Sequence, residues 1–247
     1  MTIAWVAAGA GLGALAGSFL ATLAIRWGQG ASVMHGRSRC DSCRATVPAH
    51  RLVPLLSFVF VRGRCGDCGA AIDPRQPAME LLCALIGGTA LAVRPDGAGM
   101  AGALFGWMLA TLALLDLDHF WLPDALVLPL GLAGIVGGLV GLDPPLADRL
   151  IGAACGFLSF ALIAWGYRRL RNRVGLGQGD AKLIAAIGAW LDWRVLPTVV
   201  FAAAMIGIGW CLVAIARGRP LAPNGRLPLG TLLAIASWPC WLAGQIG

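Results

Sequence analysis

The residues able to do chemistry in this chain are few and unevenly placed. Of twelve carboxylates in 247 residues, three fall in Leu115-Asp116-Leu117-Asp118-His119-Phe120-Trp121-Leu122-Pro123-Asp124, where there is no Lys or Arg. A fourth, Asp180, closes Gly177-Gln178-Gly179-Asp180 and opens the short apolar run 181–191. An ionisable group at the edge of an apolar segment is costly to place and points to function. A single aspartate there reads more simply as a helix cap, as Asp180 would for the run from Ala181. Two carboxylates brought to one face without a counter-ion read differently. Close together and partly desolvated, they cannot both ionise easily, so one keeps a proton while the other acts as a base. Such a pair activates a water and polarises a carbonyl without a metal or a covalent intermediate. Gly175, Gly177 and Gly179 leave room for another backbone to approach Asp180.

The second cluster is Cys40-x-x-Cys43 and, after 21 residues, Cys65-x-x-Cys68, each pair followed by turn-prone residues, Arg44-Ala45 and Gly69-Ala70. Four thiolates at this spacing match the tetrahedral preference of zinc, the alternative being redox-active or incidental thiols. A closed four-Cys site offers no open coordination position, so the metal would be structural. It would hold together a loop of about 50 residues that is too small and polar for a core of its own. The remaining cysteines, Cys83, Cys155, Cys211 and Cys240, stand alone in apolar stretches and behave as small hydrophobes. Glu80 is the only glutamate and has Arg75 five residues before it. Both an interfacial acid at a helix start and a role in methyl transfer or amine binding fit it. His35, His50 and His119 are not spaced with one another as metal ligands, and no role is assigned to them.

The elements that position these groups follow from composition. With 58% hydrophobic and 13% charged residues, and a mean hydropathy of +0.78, the chain is excluded from the solvated globular enzymes. Apolar runs near 3–25, 78–93, 98–115, 123–142, 150–167, 181–191, 195–216 and 228–246 predict an all-α polytopic membrane protein of about eight transmembrane helices. The first run has no basic residue before it and is too long for a signal peptide, so it is expected to be an anchor. Eight basic residues lie in the insertion between the first two spans, which places that loop in the cytoplasm. Threading the spans onward puts sixteen of the nineteen cations on the cytoplasmic side, leaving Arg94, Arg149 and Arg194 outside. The net charge of +7 is thereby explained by topology and lipid, with no need for nucleic acid. On the same threading, Asp116 and Asp180 reach the cytoplasmic face together. Trp5, Trp27, Trp121, Trp190, Trp193, Trp238 and Trp241 flank span ends, as anchoring aromatics do. The expected division is a first helix over 1–25, a cytoplasmic zinc loop over 26–77 and a membrane-embedded region over 78–247.

The ordered set of motifs resembles the prepilin peptidases, or type IV leader peptidases, of the GxGD aspartic membrane protease group. It comprises Gly13-x-x-x-Gly17-Ser18-Phe19, the two Cys pairs, Ser57-Phe58, Arg62-Gly63-Arg64, Glu80-Leu81, Asp116 through Leu122-Pro123-Asp124, and Gly177-Gln178-Gly179-Asp180-Ala181-Lys182-Leu183. The resemblance implies cleavage, after a glycine, of the short basic leader of type IV pilin or type II secretion pseudopilin precursors. The place of action would be the bacterial inner membrane, with the site facing the cytoplasm. It implies Asp116 and Asp180 as the catalytic pair, with Asp118, Asp124, Gly177, Gly179, Lys182 and Glu80 in support. Family members with the Cys-rich loop are commonly bifunctional and also methylate the new N-terminus with S-adenosylmethionine. This chain departs from the family pattern at Ala21, at Arg26-Trp27-Gly28 and at Leu52-Val53-Pro54.

Two other classes compete. A carboxylate-based proton or ion transporter with a zinc-stabilised loop predicts acids at the bilayer midplane and an internal repeat. A membrane adaptor built around the zinc loop explains the cysteines but not the aspartates.

Overall fold

The computed structural model describes residues 2–28, 39–40, 42–48, 52–171, 175–218 and 227–246. Arg37, Arg51, Arg173, Arg219 and Arg226 of the orientation argument, and His35 and His50, lie outside the described residues. The helices are α1 (Thr2–Gly28), α2 (Leu56–Phe60), α3 (Arg75–Val93), α4 (Gly97–His119), α5 (Asp124–Leu139), α6 (Leu146–Arg171), α7 (Gln178–Leu191), α8 (Leu196–Ala216) and α9 (Leu229–Ile246). Each predicted apolar run is a helix, and α2 is an addition inside the polar insertion. Six of these helices, α1, α3, α4, α6, α8 and α9, are long and apolar enough to cross a membrane. α8 shows why the medium must be lipid. It buries only Leu196, Val199, Ala203 and Gly207, and leaves Phe201, Ile208 and Leu212 exposed. The protein is a multi-pass membrane protein.

The chain forms two compact units, Met1–Thr111 and Leu112–Gly247, whose boundary falls inside α4. In the first, α1 packs along α3 through glycines spaced four apart. A Cβ at Gly17 would lie 2.6 Å from the Met79 carbonyl oxygen, and Gly9 and Gly13 meet the α3 backbone in the same way. Small residues at this spacing let two membrane helices touch backbone to backbone. The start of α4 is capped by a side chain: the Asp96 carboxylate accepts the Gly99 N–H at 3.0 Å.

In the second unit the shortest of the apolar helices is the most enclosed. α7 has 14 residues, of which nine are buried, and it packs against α5, α6, α8 and α9. At ~1.5 Å per residue it covers ~21 Å, less than the ~30 Å of hydrocarbon. Because protein surrounds it, its ends need not reach the membrane surfaces. A glycine contact again permits the approach: a Cβ at Gly152 of α6 would collide with the Gly188 backbone of α7.

Three residues assigned to the membrane boundary or the outer side are instead buried. Trp190 is buried and donates its indole N–H to the Leu130 carbonyl at 2.8 Å, and Trp241 is buried as well. Arg149 is 2% exposed, and its guanidinium donates to the carbonyls of Pro144, Gly134, Ala189, Leu142 and Asp143 at 2.7–3.2 Å. It thus ties the ends of α5 and α7 to the start of α6.

Candidate functional site

Asp116 lies in the last turn of α4 and is 5% exposed. Its Oδ2 accepts the backbone N–H of Thr231 at 2.8 Å. The Thr231 hydroxyl stands 3.2 Å from the same oxygen and 2.9 Å from the Ala113 carbonyl. Thr231 is the third residue of α9, where the backbone N–H has no partner within the helix, so α9 points an unused donor at the carboxylate. Gly230 makes room for it: a Cβ there would lie 3.0 Å from Asp116 Oδ2 and 2.9 Å from Leu122 Cδ1.

Asp180 is the third residue of α7, and its Oδ2 accepts the N–H of Gly177, the N-cap residue, at 3.1 Å. The helix therefore starts at Gln178, three residues before the expected Ala181. The two aspartates interact electrostatically across the site. Leu122 joins their surroundings, because a Cβ at Gly179 would lie 3.0 Å from Leu122 Cβ while Leu122 also abuts Gly230. The expected support residues divide. Asp124, exposed at the start of α5, receives the Lys182 ammonium at 2.7 and 2.8 Å. The Asp116–Asp124 stretch, without a cation in its own sequence, is thus neutralised in part from α7. Asp118 sits on the exposed side of the last turn of α4.

The four cysteines also come together. One sulfur from each of Cys40, Cys43, Cys65 and Cys68 lies within 4.8 Å of all the others, and the Cys40 and Cys68 sulfurs are 3.8 Å apart. A tetrahedron of thiolates at ~2.3 Å from a metal has edges of ~3.8 Å, so the donor set fits zinc. Each half is the same knuckle. The N–H of Cys40 bonds to the Ala45 carbonyl and that of Arg44 to the Cys40 carbonyl; Cys65 to Ala70 and Gly69 to Cys65 repeat the pattern. The residue after each second cysteine takes a left-handed backbone, φ 58° at Arg44 and 73° at Gly69. As thiols Cys65 and Cys43 differ. The amides of Asp67 and Cys68 pull Cys65 down to about 7. Cys43, drawn down by the Ala45 amide but pushed up further by the Cys68, Cys40 and Cys65 thiols, stands at about 12.

Comparison with known proteins resolves the kinship. Residues 12–93 match the bacterial peptidase A24 N-terminal domain, and residues 103–212 match the type IV leader peptidase family. The prepilin leader peptidase/N-methyltransferase of Aeromonas salmonicida is 38% identical over 217 residues, spanning 87% of this chain and 74% of the relative. Proteins of the same name from Stutzerimonas stutzeri and Burkholderia pseudomallei are 36% and 42% identical. These cover 84% and 80% of this chain, and 72% and 64% of the relatives. The chain belongs to the type IV leader peptidase family. No solved structure matches it.

In this leader peptidase both aspartates fall within the 103–212 match, whereas Gly230 and Thr231 lie beyond it. These two, with Leu122, are the site residues that sequence reasoning missed. The signal present was Pro228 and Gly230 opening an apolar run, which marks a helix start without saying which acid it serves. The peptidase's Glu80 belongs to neither cluster. It is 5% exposed in the second turn of α3, accepts the Leu55 N–H at 2.7 Å and lies 3.5 Å from the Gln76 amide nitrogen. Arg75, its sequence neighbour, turns instead to Asp73, with Nε 3.0 Å from both carboxylate oxygens.

Proposed function

We propose that this leader peptidase removes the basic leader, after a glycine, from type IV pilin or type II secretion pseudopilin precursors, with Asp116 and Asp180 as its catalytic pair. Its place is the bacterial inner membrane, and its acids face the cytoplasm, where such a leader stays. The observation that carries the reading is a buried carboxylate, gripped by a helix N-terminus, interacting with a second carboxylate at the head of another helix. Donors aimed at Asp116 suit its charged form, so Asp116 takes a proton from the attacking water. Asp180 gives its proton to the scissile carbonyl oxygen as the hydroxyl adds to carbon. On collapse the proton held by Asp116 passes to the departing amine, the C–N bond breaks, and Asp180 recovers its proton. Gly179 lets Leu122 pack against the head of α7, the Gly177 N–H holds the Asp180 carboxylate, and the Asp124–Lys182 pair holds the head of α7 to that of α5.

The loop over 26–77 is read as a structural zinc module held by Cys40, Cys43, Cys65 and Cys68, and 78–247 as the peptidase region. N-methylation of the trimmed substrate is its second activity, for which S-adenosylmethionine supplies the methyl group when bound. A proton carrier would set its acids mid-membrane, whereas Asp116 and Asp180 stand at helix ends.

Mass spectrometry of a co-expressed prepilin tests the reading, since leader loss and an added methyl group appear in one spectrum. Asp116→Asn and Asp180→Asn are each expected to leave the leader in place while the protein keeps its zinc. Cleavage by either variant at the wild-type rate overturns the dyad.

A further inference from the structure

The polar insertion between α1 and α3 carries an apolar face on its surface, and that face belongs to α2. The helix is two-sided. Phe58 turns inward, its ring 3.0 Å from where a Cβ on Gly63 would lie. Leu56, Val59 and Phe60, spaced i, i+3 and i+4, make the other side and are 58%, 70% and 83% exposed. Leu52 and Val53, just before the helix, are exposed as well. Large apolar side chains gathered this closely mark an interaction surface rather than a water-facing loop.

Depth says what covers it. The Leu55 N–H, at the head of α2, bonds to the Glu80 carboxylate at 2.7 Å. Glu80 stands five residues after Arg75, the first residue of α3, so at ~1.5 Å per residue α2 is fastened about 8 Å inward from the start of a membrane-crossing helix. Amphipathic segments lying on a bilayer bury their apolar face by about 5–10 Å at the boundary of headgroups and acyl chains. The protein itself therefore holds this face at the level where lipid begins. Charge agrees with depth. Arg62, directly after the α2 cap residue Val61, is exposed and has no ion pair among the described residues. Arg64, also exposed, gives one N–H to the Gly69 carbonyl at 3.3 Å. Cations beside an apolar patch at this depth match anionic headgroups.

We propose that α2 and its flanks are a lipid-docking surface. Leu52, Val53, Leu56, Val59 and Phe60 enter the leaflet at the head of α3, and Arg62 and Arg64 bind its anionic headgroups. The zinc module then lies against the membrane instead of hanging in water from its two ends. This surface is independent of the aspartate pair and of methyl transfer. The competing occupant is an apolar segment of a protein partner.

Thiol labelling of the full-length protein, reconstituted one copy per nanodisc, separates the two. Val59→Cys is compared with Thr46→Cys, a position that is also exposed but belongs to a Cys knuckle. The rate at each site with a membrane-impermeant maleimide is resolved by mass spectrometry, and zinc content checks the fold of each variant. In nanodiscs of equal parts phosphatidylcholine and phosphatidylglycerol, position 59 is expected to react more slowly than position 46 by about tenfold or more. Phe60→Ser added to Val59→Cys should raise the rate at 59 by about tenfold, because an apolar ring leaves the lipid. Arg62→Gln in the same background should raise it about fivefold with phosphatidylglycerol present and leave it unchanged in phosphatidylcholine alone. Equal rates at 59 and 46 in both lipids overturn the proposal. Protection of 59 that arises only when a prepilin is added gives the face to a protein partner and overturns it equally. An Arg62→Gln variant as well protected as its parent in phosphatidylglycerol overturns the headgroup contact.

Discussion

The thiol cluster and the acid cluster are assembled in opposite ways. Each half of the thiol site is closed by its own backbone hydrogen bonds, within 40–45 and within 65–70. A short stretch of chain and a metal suffice to define it. The acid site has no local frame. Its parts come from the end of α4, the head of α7 and the head of α9, and the bond from Thr231 to Asp116 spans 115 positions of sequence. It exists only when three helices are packed, so it is damaged by altered geometry as readily as by a lost functional group. The difference teaches that loss of a ligand should unmake the first site while chemistry and spacing should separately unmake the second.

The sharpest test of that contrast is to remove one group from each. Asp116→Asn is expected to lower leader cleavage by about 10³-fold or more, the upper range for a proton-transferring group, with zinc content unchanged. Cys40→Ser is expected to release zinc and make 39–72 sensitive to protease, yet to retain at least tenfold more cleavage than Asp116→Asn. Equal loss from the two variants would mean that the clusters are not separable, and the comparison would fail.

Geometry alone should come next. Gly230→Val places a Cβ about where the structure allows none, 3.0 Å from Asp116 Oδ2. A displacement of about 1 Å at a reacting group costs about 100-fold, and that is the expected fall in turnover. The protein should keep its zinc and its thermal midpoint to within a few degrees. An active Gly230→Val enzyme would show that α9 does not set the position of Asp116.

These cases mark what could be read in the chain beforehand. The eight apolar runs were legible because lipid imposes a length and a composition on whatever crosses it. The cysteine spacing was legible because its chemistry is local. The start of α7 was not, because the N-cap is a glycine with no capping side chain, and the helix start is closed from inside by Asp180, whose carboxylate accepts the Gly177 N–H. Thr231 was invisible for a deeper reason: no pattern in 228–231 names a partner at 116. Arg149 was counted only as a charge on the outer side. Its five carbonyl partners come from two helix ends and a connecting turn, which become neighbours only after packing. Trp190 was assigned to the boundary because it ends a short apolar run, and the enclosure of α7 is what moves it to the core.

A smaller effect distinguishes the two donors that Thr231 offers. Thr231→Val deletes the hydroxyl and keeps the N–H, and should lower cleavage by about tenfold, the worth of one hydrogen bond to a charged group. Thr231→Ser should restore it. If valine is neutral, the hydroxyl serves only the Ala113 carbonyl and the backbone N–H alone holds the carboxylate.

The smallest effect belongs to the ion pair beside the site. Lys182 and Asp124 are 36% and 54% exposed at their side chains, so water screens them and their attraction is worth about 0.2–1 kcal/mol. Lys182→Met should lower the thermal midpoint by no more than a few degrees and cleavage by about threefold or less, measured at low salt where the pair is strongest. Raising the ionic strength should bring wild type toward the variant. A much larger loss in Lys182→Met would place its ammonium among the groups that act on the substrate, and a loss that Asp124→Asn does not share would point the same way. A matched, small loss in both variants instead makes the pair a clamp, a surface contact joining the head of α5 to that of α7 while Asp116 and Asp180 do the chemistry.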